Sequence, residues 1–289
     1  MFIDHLGMSV VYELEQKYIP GAGADGVITP VMRLIGRIAF IIYAFLLTEG
    51  FVNTSNRPRY LLRLLAGAVI SEIPFDLAGS RKWLDPWDQN IFFTLAIGFC
   101  TIWVLEIICG KRTDSPVSGR NDDIVGDENI KERGSAGKGR SVLYAVLGIL
   151  TVLAGMALAE LIRCDYGCMG VGLIVVFYLF RWRTGLFWAV MIEAYTGHLI
   201  VDYIYYIINR HRYFARIGQP YLAPDAATVL VNLVDWADKR LFWTMPGIFA
   251  AVLLILLYNG EKGRQLPKAF YYLFYPVHLL LLYLIVKNI

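Results

Sequence analysis

The chain is poor in charged residues. Only 18% of its 289 residues are charged, whereas about 25% are charged in ordinary soluble domains. Hydrophobic residues make up 57% of the chain, and its mean hydropathy is +0.52. Because so little charge cannot cover so much apolar surface, the composition excludes a soluble globular protein and a chain that is disordered over most of its length.

Two kinds of site are also missing from the sequence. The formal net charge is only +3, so the chain lacks the strong basic field of a nucleic-acid-binding protein. The four cysteines, Cys100, Cys109, Cys164 and Cys168, form no CxxC pair. We therefore expect no zinc or thioredoxin-type site, no bound metal and no nucleic-acid partner. The class that remains is an integral membrane protein, with membrane lipid as its surroundings.

Long apolar runs indicate how such a protein is built. A helix that crosses the hydrocarbon core of a bilayer, about 30 Å thick, needs about 20 apolar residues. The sequence predicts an all-α, polytopic transmembrane helix bundle of eight to nine segments, forming a single integral-membrane domain over residues 1–289. The segments are Met1–Tyr12, Val31–Val52, Tyr60–Ala78, Asn90–Cys109, Ser141–Ile162, Asp165–Trp182, Thr184–Ile208, Leu241–Tyr258 and Ala269–Val286. Met1–Tyr12 begins in mid-pattern, which suggests a start further upstream or a short helix.

The stretch Lys111–Arg140 differs from its surroundings. It holds seven basic and six acidic residues and no aromatic residue, which predicts a flexible, solvated loop. With the loops at 57–63, 181–183 and 262–268, it contains 15 of the 27 lysines and arginines. If all nine segments span, these four loops lie on one side, which the positive-inside rule makes cytoplasmic. We therefore expect a multi-pass protein of the plasma membrane.

Ionisable and polar residues occur inside the predicted segments, where they are costly and usually face a cavity or a partner. Depth along the helices places several of them in one polar layer in the middle or outer half of the bundle. His198 and Asp202 share a helix face, as do Glu72 and Asp76 around Pro74. His5 and the adjacent Asp4 do not face each other on a helix, so we expect a partner for His5 from another helix. The polar residues of the segments are Asp4, His5, Arg37, Glu49, Arg63, Glu72, Asp76, Asn90, Glu193, His198, Asp202 and His278.

Structural interpretations stand beside the functional ones. Asp76, Asn90 and Asp202 also fit helix ends at the membrane interface, and His278 fits a buried histidine bonded to a backbone carbonyl. Arg57, Arg59 and Arg63 also fit the positive-inside signal. The sequence alone leaves these alternatives open.

Several strings resemble one family. The chain resembles the TraX family of conjugal-transfer membrane proteins, whose named member acetylates pilin. The matching strings are MFIDHLG at Met1–Gly7, RLIGRIAFIIYAFLLTEGF at Arg33–Phe51, RYLLRLL at Arg59–Leu65, SEIPFDL at Ser71–Leu77, NIFFTL at Asn90–Leu95, CDYGCMGV at Cys164–Val171, LYNGEKG at Leu257–Gly263 and FYYLFYPVHLLLLYLI at Phe270–Ile285. Two departures are a shorter first helix and Ile41 where the family usually has proline.

The resemblance implies an activity. The family is similar to integral-membrane acyltransferases, which carry a catalytic histidine late in their first helix and arginines at the cytoplasmic ends of later helices. His5 matches that histidine by position, and Arg63 matches one of the arginines. The implied donor is acetyl-CoA, reached from the cytoplasm. An N- or O-acetyltransferase of this kind would act on an amine or hydroxyl of a membrane-embedded or extracytoplasmic acceptor, which is a peptide, a glycan or a lipid headgroup.

Each candidate then has a predicted role. His5 is the base that takes a proton from the acceptor, since its ordinary pKa of about 6.5 lies near neutral pH. Either Asp4 or a carboxylate from another helix orients His5, and Arg37 stabilises negative charge in the transition state. Arg57, Arg59 and Arg63 bind the CoA phosphates. Two rival hypotheses are a transporter for a small solute or protons, since buried acids and histidines mark such pathways, and a non-catalytic assembly factor of a conjugation apparatus.

Overall fold

The computed structural model describes residues 1–19, 26–110, 136–181, 185–243, 245–261 and 267–289. Over these residues the chain forms eleven α-helices and one π-helical segment, Gly7–Val11, and its only strand-like pairing is an isolated bridge. The α-helices are α1 Phe2–Leu6, α2 Tyr12–Tyr18, α3 Thr29–Asn53, α4 Arg57–Gly79, α5 Ile91–Cys109, α6 Ala136–Leu161, α7 Gly167–Phe180, α8 Leu186–Arg216, α9 Ala226–Trp243, α10 Met245–Leu256 and α11 Lys268–Lys287. The predicted all-α class is confirmed.

The helices fit a membrane protein. Within the described ranges, α3, α5 and residues 142–161 of α6 are long and apolar enough to cross a bilayer, and shorter apolar stretches occur in α7, α9, α10 and α11. The sixth predicted segment corresponds to α7, which has only 14 residues. The count of eight to nine spans stays a prediction. Residues 111–135 of the predicted loop lie outside the described residues, while α6 begins at Ala136, inside the stretch predicted as loop.

The core of the bundle is formed by buried residues of α3, α4, α5, α7, α8, α10 and α11. Phe51 of α3 and Phe99 of α5 are fully buried and meet edge to face, with ring centroids 5.1 Å apart. Gly98 of α5 has no side chain, so Ile174 of α7 packs directly against its backbone. Such close approach matters because lipid tails are as apolar as leucine, so packing and hydrogen bonds hold helices together in a bilayer. By contrast, α6 exposes most of its apolar residues.

The first helix is continuous through its π-helical segment. The residues that join α1, the π segment and α2 all have right-handed helical dihedrals. Glu15 of α2 then ties this helix to the start of α3. Its carboxylate accepts hydrogen bonds from the Val27 N–H at 2.9 Å, the Thr29 hydroxyl at 2.7 Å and the Ile28 N–H. These bonds lower the pKa of Glu15 and provide the N-terminal N–H groups of α3 with an acceptor.

The bundle has two distinct ends. One, which we call the His5 end, carries the connections at 80–90 and 162–166. These connections are held together because the Gln89 N–H donates to the Arg163 carbonyl at 3.0 Å and the Asp165 N–H donates to the Gln89 carbonyl at 2.7 Å. The other, which we call the Arg63 end, carries the connection between α3 and α4 and the start of α11. The catalytic and CoA-binding residues predicted from the sequence therefore fall at opposite ends of α3 and α4.

Candidate functional site

Two buried histidines from opposite ends of the sequence meet at the His5 end. The Nδ1 atom of His5 in α1 lies 2.8 Å from the Nε2 atom of His278 in α11. Their ring planes are nearly parallel, 12° apart, with centroids 5.0 Å apart, as expected for two rings joined edge to edge by a hydrogen bond, and both residues are buried. The expectation that His5 finds its partner on another helix is confirmed. The bonded-histidine interpretation of His278 also holds, because its Nδ1 atom lies 2.7 Å from the Phe274 carbonyl oxygen.

These contacts determine where the protons sit on the neutral pair. The Phe274 carbonyl can only accept, so Nδ1 of His278 carries the hydrogen and its Nε2 is left with a lone pair. Nδ1–H of His5 must then donate to that lone pair. The remaining ring nitrogen of His5, Nε2, therefore has no hydrogen and is available to take a proton.

A cavity of about 500 Å³ lies beside the pair and is rich in charged groups. Its wall includes Asp4 and His5 of α1, Arg33 and Arg37 of α3, and Glu193 of α8. From the two connections, the wall also includes Asp88, Asp165 and Tyr166. We call this space the histidine cavity. The three residues predicted to be catalytic, Asp4, His5 and Arg37, are thus brought together in one cavity.

Two features of the backbone near His5 concern the residues that line the histidine cavity. The π-helical segment begins two residues after His5, and such segments are frequent at functional sites. Gly36 lies one residue before Arg37 on α3, and any side chain there would collide with the Asp4 carboxyl group. The missing side chain therefore lets Asp4 lie against α3 beside Arg33 and Arg37, where an acid and two cations line the same space.

The connection before α7 supplies the opposite wall. Tyr166 has φ +64°, a left-handed conformation that is costly for a residue with a side chain, and its ring stacks on Phe40 with centroids 3.7 Å apart. Burial, together with the carboxylates of Asp4 and Asp88, raises the pKa of Asp165 to about 7. Asp165 is thus repelled by both of these acids, and a cationic or hydrogen-bond-donating ligand would relieve that repulsion.

The arginines predicted to bind CoA lie at the Arg63 end. The Arg57 guanidinium contacts both carboxylate oxygens of Glu106 at 2.9 Å and lies 4.2 Å from the centre of the Phe51 ring. These contacts show a structural ion pair. The side chains of Arg59 and Arg63 are exposed, and Arg63 lies beside Tyr272 of α11. Arg59 and Arg63 are therefore more accessible to a phosphate ligand than Arg57.

Four further polar candidates have structural contacts. Glu49 forms a buried ion pair with Arg181, whose Nη2 lies 2.8 Å from Oε2. Asn90 caps α5 by accepting from the Phe92 N–H at 3.0 Å, and its amide donates to the Glu72 carboxylate. Asp76 accepts from the backbone N–H of the 80–90 connection at Asp85, 2.7 Å away. The helix-end interpretation of Asp76 and Asn90 fits these contacts.

Two candidates are not placed by the structure. The side chains of His198 and Asp202, on α8, lie outside the described residues.

Among the side chains that the structure does describe, no group of three or more histidines, cysteines or acids is arranged to hold a metal ion.

Sequence reasoning missed four charged or polar residues in the wall of the histidine cavity, Arg33, Asp88, Asp165 and Tyr166. Arg33 is four residues before Arg37, which is the spacing of one helix face and a signal that was available. Glu193 was recognised only as one of several ionisable residues in its segment. Asp88, Asp165 and Tyr166 lie in connections, where no helical periodicity indicates which way a side chain points. The chain brings them to His5 only by folding.

Comparisons with known proteins agree with the resemblance. The sequence model of one family, described as "TraX protein", matches residues 1–286. A curated relative, the probable fimbrial assembly protein FimC, serogroup H1, of Dichelobacter nodosus, is 24% identical over 274 residues, which cover 87% of this chain and 81% of the relative. No solved structure matches the chain significantly.

Proposed function

This chain belongs to the TraX family, and we propose that it is an integral-membrane acyltransferase that transfers acetyl from acetyl-CoA to an amine or hydroxyl of a membrane-embedded or extracytoplasmic acceptor. The observation that carries the proposal is the His5–His278 contact at 2.8 Å, which leaves Nε2 of His5 without a hydrogen. A base so oriented, with arginines in the same cavity, is what acyl transfer requires.

The proposed chemistry uses the residues of the histidine cavity in turn. Nε2 of His5 takes the proton from the acceptor nitrogen or oxygen as that atom attacks the acetyl carbonyl carbon. The carbon–sulfur bond of the thioester then breaks, and the CoA sulfur leaves with the proton that His5 accepted. His278 supports the charged form of His5, because its Nε2 lone pair accepts the hydrogen bond from Nδ1–H.

The arginines of the cavity have a matching role. Attack on the carbonyl carbon places negative charge on the acetyl oxygen, and fixed cations near that oxygen lower the barrier. Arg33 and Arg37 line the cavity one helical turn apart, beside Asp4. Asp4 holds their positions through charge attraction across the gap that Gly36 leaves open. This role for Arg37 is that expected from the sequence, and Arg33 now joins it.

The donor would approach from the other end. Arg59 and Arg63 are exposed at the Arg63 end, and arginine guanidinium groups match the geometry of phosphates. Arg57 stabilises the bundle there through Glu106 instead of contacting the donor. The arrangement puts the phosphates of acetyl-CoA on the side of the basic loops and the acceptor on the side of the histidine cavity.

Binding and transfer test the proposal separately. Saturable binding of acetyl-CoA to the purified protein in detergent should be retained in His5→Ala and weakened in Arg63→Ala. Membranes from cells that express the protein should incorporate acetyl from radiolabelled acetyl-CoA, and His5→Ala membranes with equal protein levels should not. Full incorporation in the His5→Ala membranes would contradict the assignment of His5.

A second candidate, a non-catalytic assembly role, is favoured by one observation: the curated relative is named a probable fimbrial assembly protein. This role predicts a stable complex with a surface-apparatus component in mild detergent and no acetyl-CoA binding by folded protein. If the protein instead moves a solute across proteoliposomes in the absence of acetyl-CoA, the transport alternative replaces both.

A further inference from the structure

A second cavity, of about 790 Å³, adjoins the histidine cavity at the His5 end. One wall is a single stripe along α8, with residues spaced three or four apart from Val201 to Arg212. The facing wall is the junction between α6 and α7, including Glu160, Cys164 and Cys168. We call this space the arginine groove. None of the residues to which we assign a role in the chemistry lines the groove.

The groove has an apolar part and a cationic part. Its apolar part includes Val201, Ile204 and Met169, and Ile204 is 50% exposed. Its cationic part, which we call the rim, carries the exposed arginines Arg163 and Arg212. An opening that is apolar in one part and cationic at the rim matches an amphiphile that lies in the bilayer with a phosphate at the surface.

The two rim arginines come from different walls of the groove. The Arg163 guanidinium lies 5.4 Å from the centre of the Trp87 ring, which orients its plane. Arg212 approaches from the last turns of α8, on the opposite wall. A phosphate between two guanidinium groups from opposite walls receives several N–H donors at once.

An anionic ligand alone does not match the groove, because acids also line it. Asp88 and Asp165 lie where the groove meets the histidine cavity and belong to the walls of both. Burial and the neighbouring carboxylates of Asp76 and Asp85 raise the pKa of Asp88. Glu160 is already engaged, since the Tyr205 hydroxyl donates to it at 2.6 Å. The crowded pair, Asp88 and Asp165, therefore favours a positive group.

We propose that the arginine groove binds a zwitterionic phospholipid headgroup, with the phosphate on Arg163 and Arg212 and the ammonium on Asp88 and Asp165. The acyl chains extend past Ile204 into the bilayer. The presence of two arginines and two acids in one partly apolar space is what selects this ligand. The site is independent of acetyl transfer, although a lipid bound there touches the wall that the groove shares with the histidine cavity.

The test measures lipid binding on the full-length protein. Delipidated protein in detergent is titrated with phosphatidylethanolamine, with phosphatidylglycerol, which lacks the ammonium, and with diacylglycerol, which lacks the phosphate. Native mass spectrometry counts the lipids retained. We expect half-saturation by phosphatidylethanolamine at a concentration at least about tenfold lower than for either other lipid.

Variants locate the site. Arg163→Gln combined with Arg212→Gln should remove the preference for phosphatidylethanolamine over diacylglycerol, and Asp88→Asn should reduce the preference over phosphatidylglycerol. Arg216→Gln, an exposed arginine of α8 outside the groove, is the matched control and should bind as the wild type does. Melting curves confirm that each variant is folded.

Two results with the lipids alone would overturn the proposal, and a third comes from competition with inorganic phosphate. One is equal retention of the three lipids by folded wild-type protein. The other is unchanged preference in the folded double variant. Inorganic phosphate at millimolar concentration should leave the bound phosphatidylethanolamine in place. If it displaces the lipid fully, the groove is a site for free phosphate, and the lipid assignment is wrong.

Discussion

Nδ1 of His5 and Nε2 of His278 lie 2.8 Å apart, although 273 residues separate them in the chain. The Phe274 carbonyl fixes the hydrogen on His278, and His278 in turn fixes the hydrogen on His5. The result is a base whose free nitrogen is selected by backbone geometry in α11. His278 is thus a positioning residue for His5 in the proposed chemistry.

Replacing His278 should slow acetyl transfer without removing donor binding. His278→Ala leaves Nδ1–H of His5 without an acceptor and frees the ring to rotate, so we expect incorporation of radiolabelled acetyl to fall about 10- to 100-fold. His278→Gln should recover part of the rate, because its amide oxygen can accept from His5. Acetyl-CoA binding should be unchanged in both variants.

His211 provides the control for that experiment. It stacks on Tyr221 near the end of α8, with ring centroids 3.6 Å apart, and lines neither cavity. His211→Ala should transfer acetyl at the wild-type rate. A rate in His278→Ala equal to that of His211→Ala would remove His278 from the mechanism.

A side chain at Gly36 of α3 should displace Asp4 of α1 and so disturb the histidine cavity. Gly36→Ala places a methyl group against the Asp4 carboxyl group, so Asp4 must move away from Arg33 and Arg37. We expect a loss of about 1–3 kcal/mol of stability from overpacking and a fall in acetyl transfer of at least about tenfold. Melting temperature and incorporation of labelled acetyl measure the two effects.

Gly148 is the matched control for Gly36. It lies in the middle of α6, and a Cβ atom there would make an ordinary 3.5 Å contact with Leu105. Gly148→Ala should keep full transfer and gain up to about 1 kcal/mol of stability, since alanine favours a helix over glycine. If Gly36→Ala is equally harmless, the close approach of Asp4 to α3 has no functional weight.

The raised pKa of Asp165 predicts that stability depends on pH. Its pKa of about 7 in the folded protein lies above the ordinary value of 3.8, so the folded state holds this proton more tightly than the unfolded state does. The contribution of Asp165 to stability is therefore greatest below pH 4 and is lost as the pH rises from about 4 to 7. Asp165→Asn should melt a few degrees higher than the wild type at pH 8 and close to it at pH 4.

An acid whose pKa is lowered instead of raised tests the direction in which stability changes with pH. Asp225 accepts hydrogen bonds at the start of α9, from the Thr228 N–H at 2.7 Å, and these bonds lower its pKa. Its contribution is present above its ordinary pKa and is lost as the pH falls through the lowered value. Asp225→Asn should therefore lower the melting temperature at pH 8. A stability difference between Asp165→Asn and wild type that is the same at pH 4 and pH 8 would rule out the titration of Asp165.

Variants of Arg57 and Arg63 should differ, because Arg57 stabilises the fold and Arg63 binds the donor in our proposal. Arg57→Ala leaves the Glu106 carboxylate without its cation, which should cost about 2 kcal/mol, and the loss should be smaller in the Arg57→Ala, Glu106→Ala double variant. Arg63→Ala should melt as the wild type does but bind acetyl-CoA about tenfold more weakly. Thermal melting and equilibrium binding are measured on the same preparations. Equal loss of binding in folded Arg57→Ala would return Arg57 to the donor site.

The sequence by itself determined the class of this protein and pointed to the histidine that we propose as its base. Low charge and long apolar runs left only a helical membrane bundle, because apolar helices in lipid satisfy their own backbone hydrogen bonds. The family resemblance pointed to His5 near the end of α1. These conclusions depend on composition, periodicity and short strings, all of which are local.

Only the tertiary structure decided which polar residues act together. His5 meets His278 because α1 packs against α11, and Asp165 reaches the same cavity through a connection with no periodic pattern. Equally polar residues such as Glu49 and Arg57 instead form ion pairs within the bundle. The cost of an unpaired charge in a low-dielectric interior brings polar groups together, but the packing of the helices chooses the partners, and a linear sequence does not contain those distances.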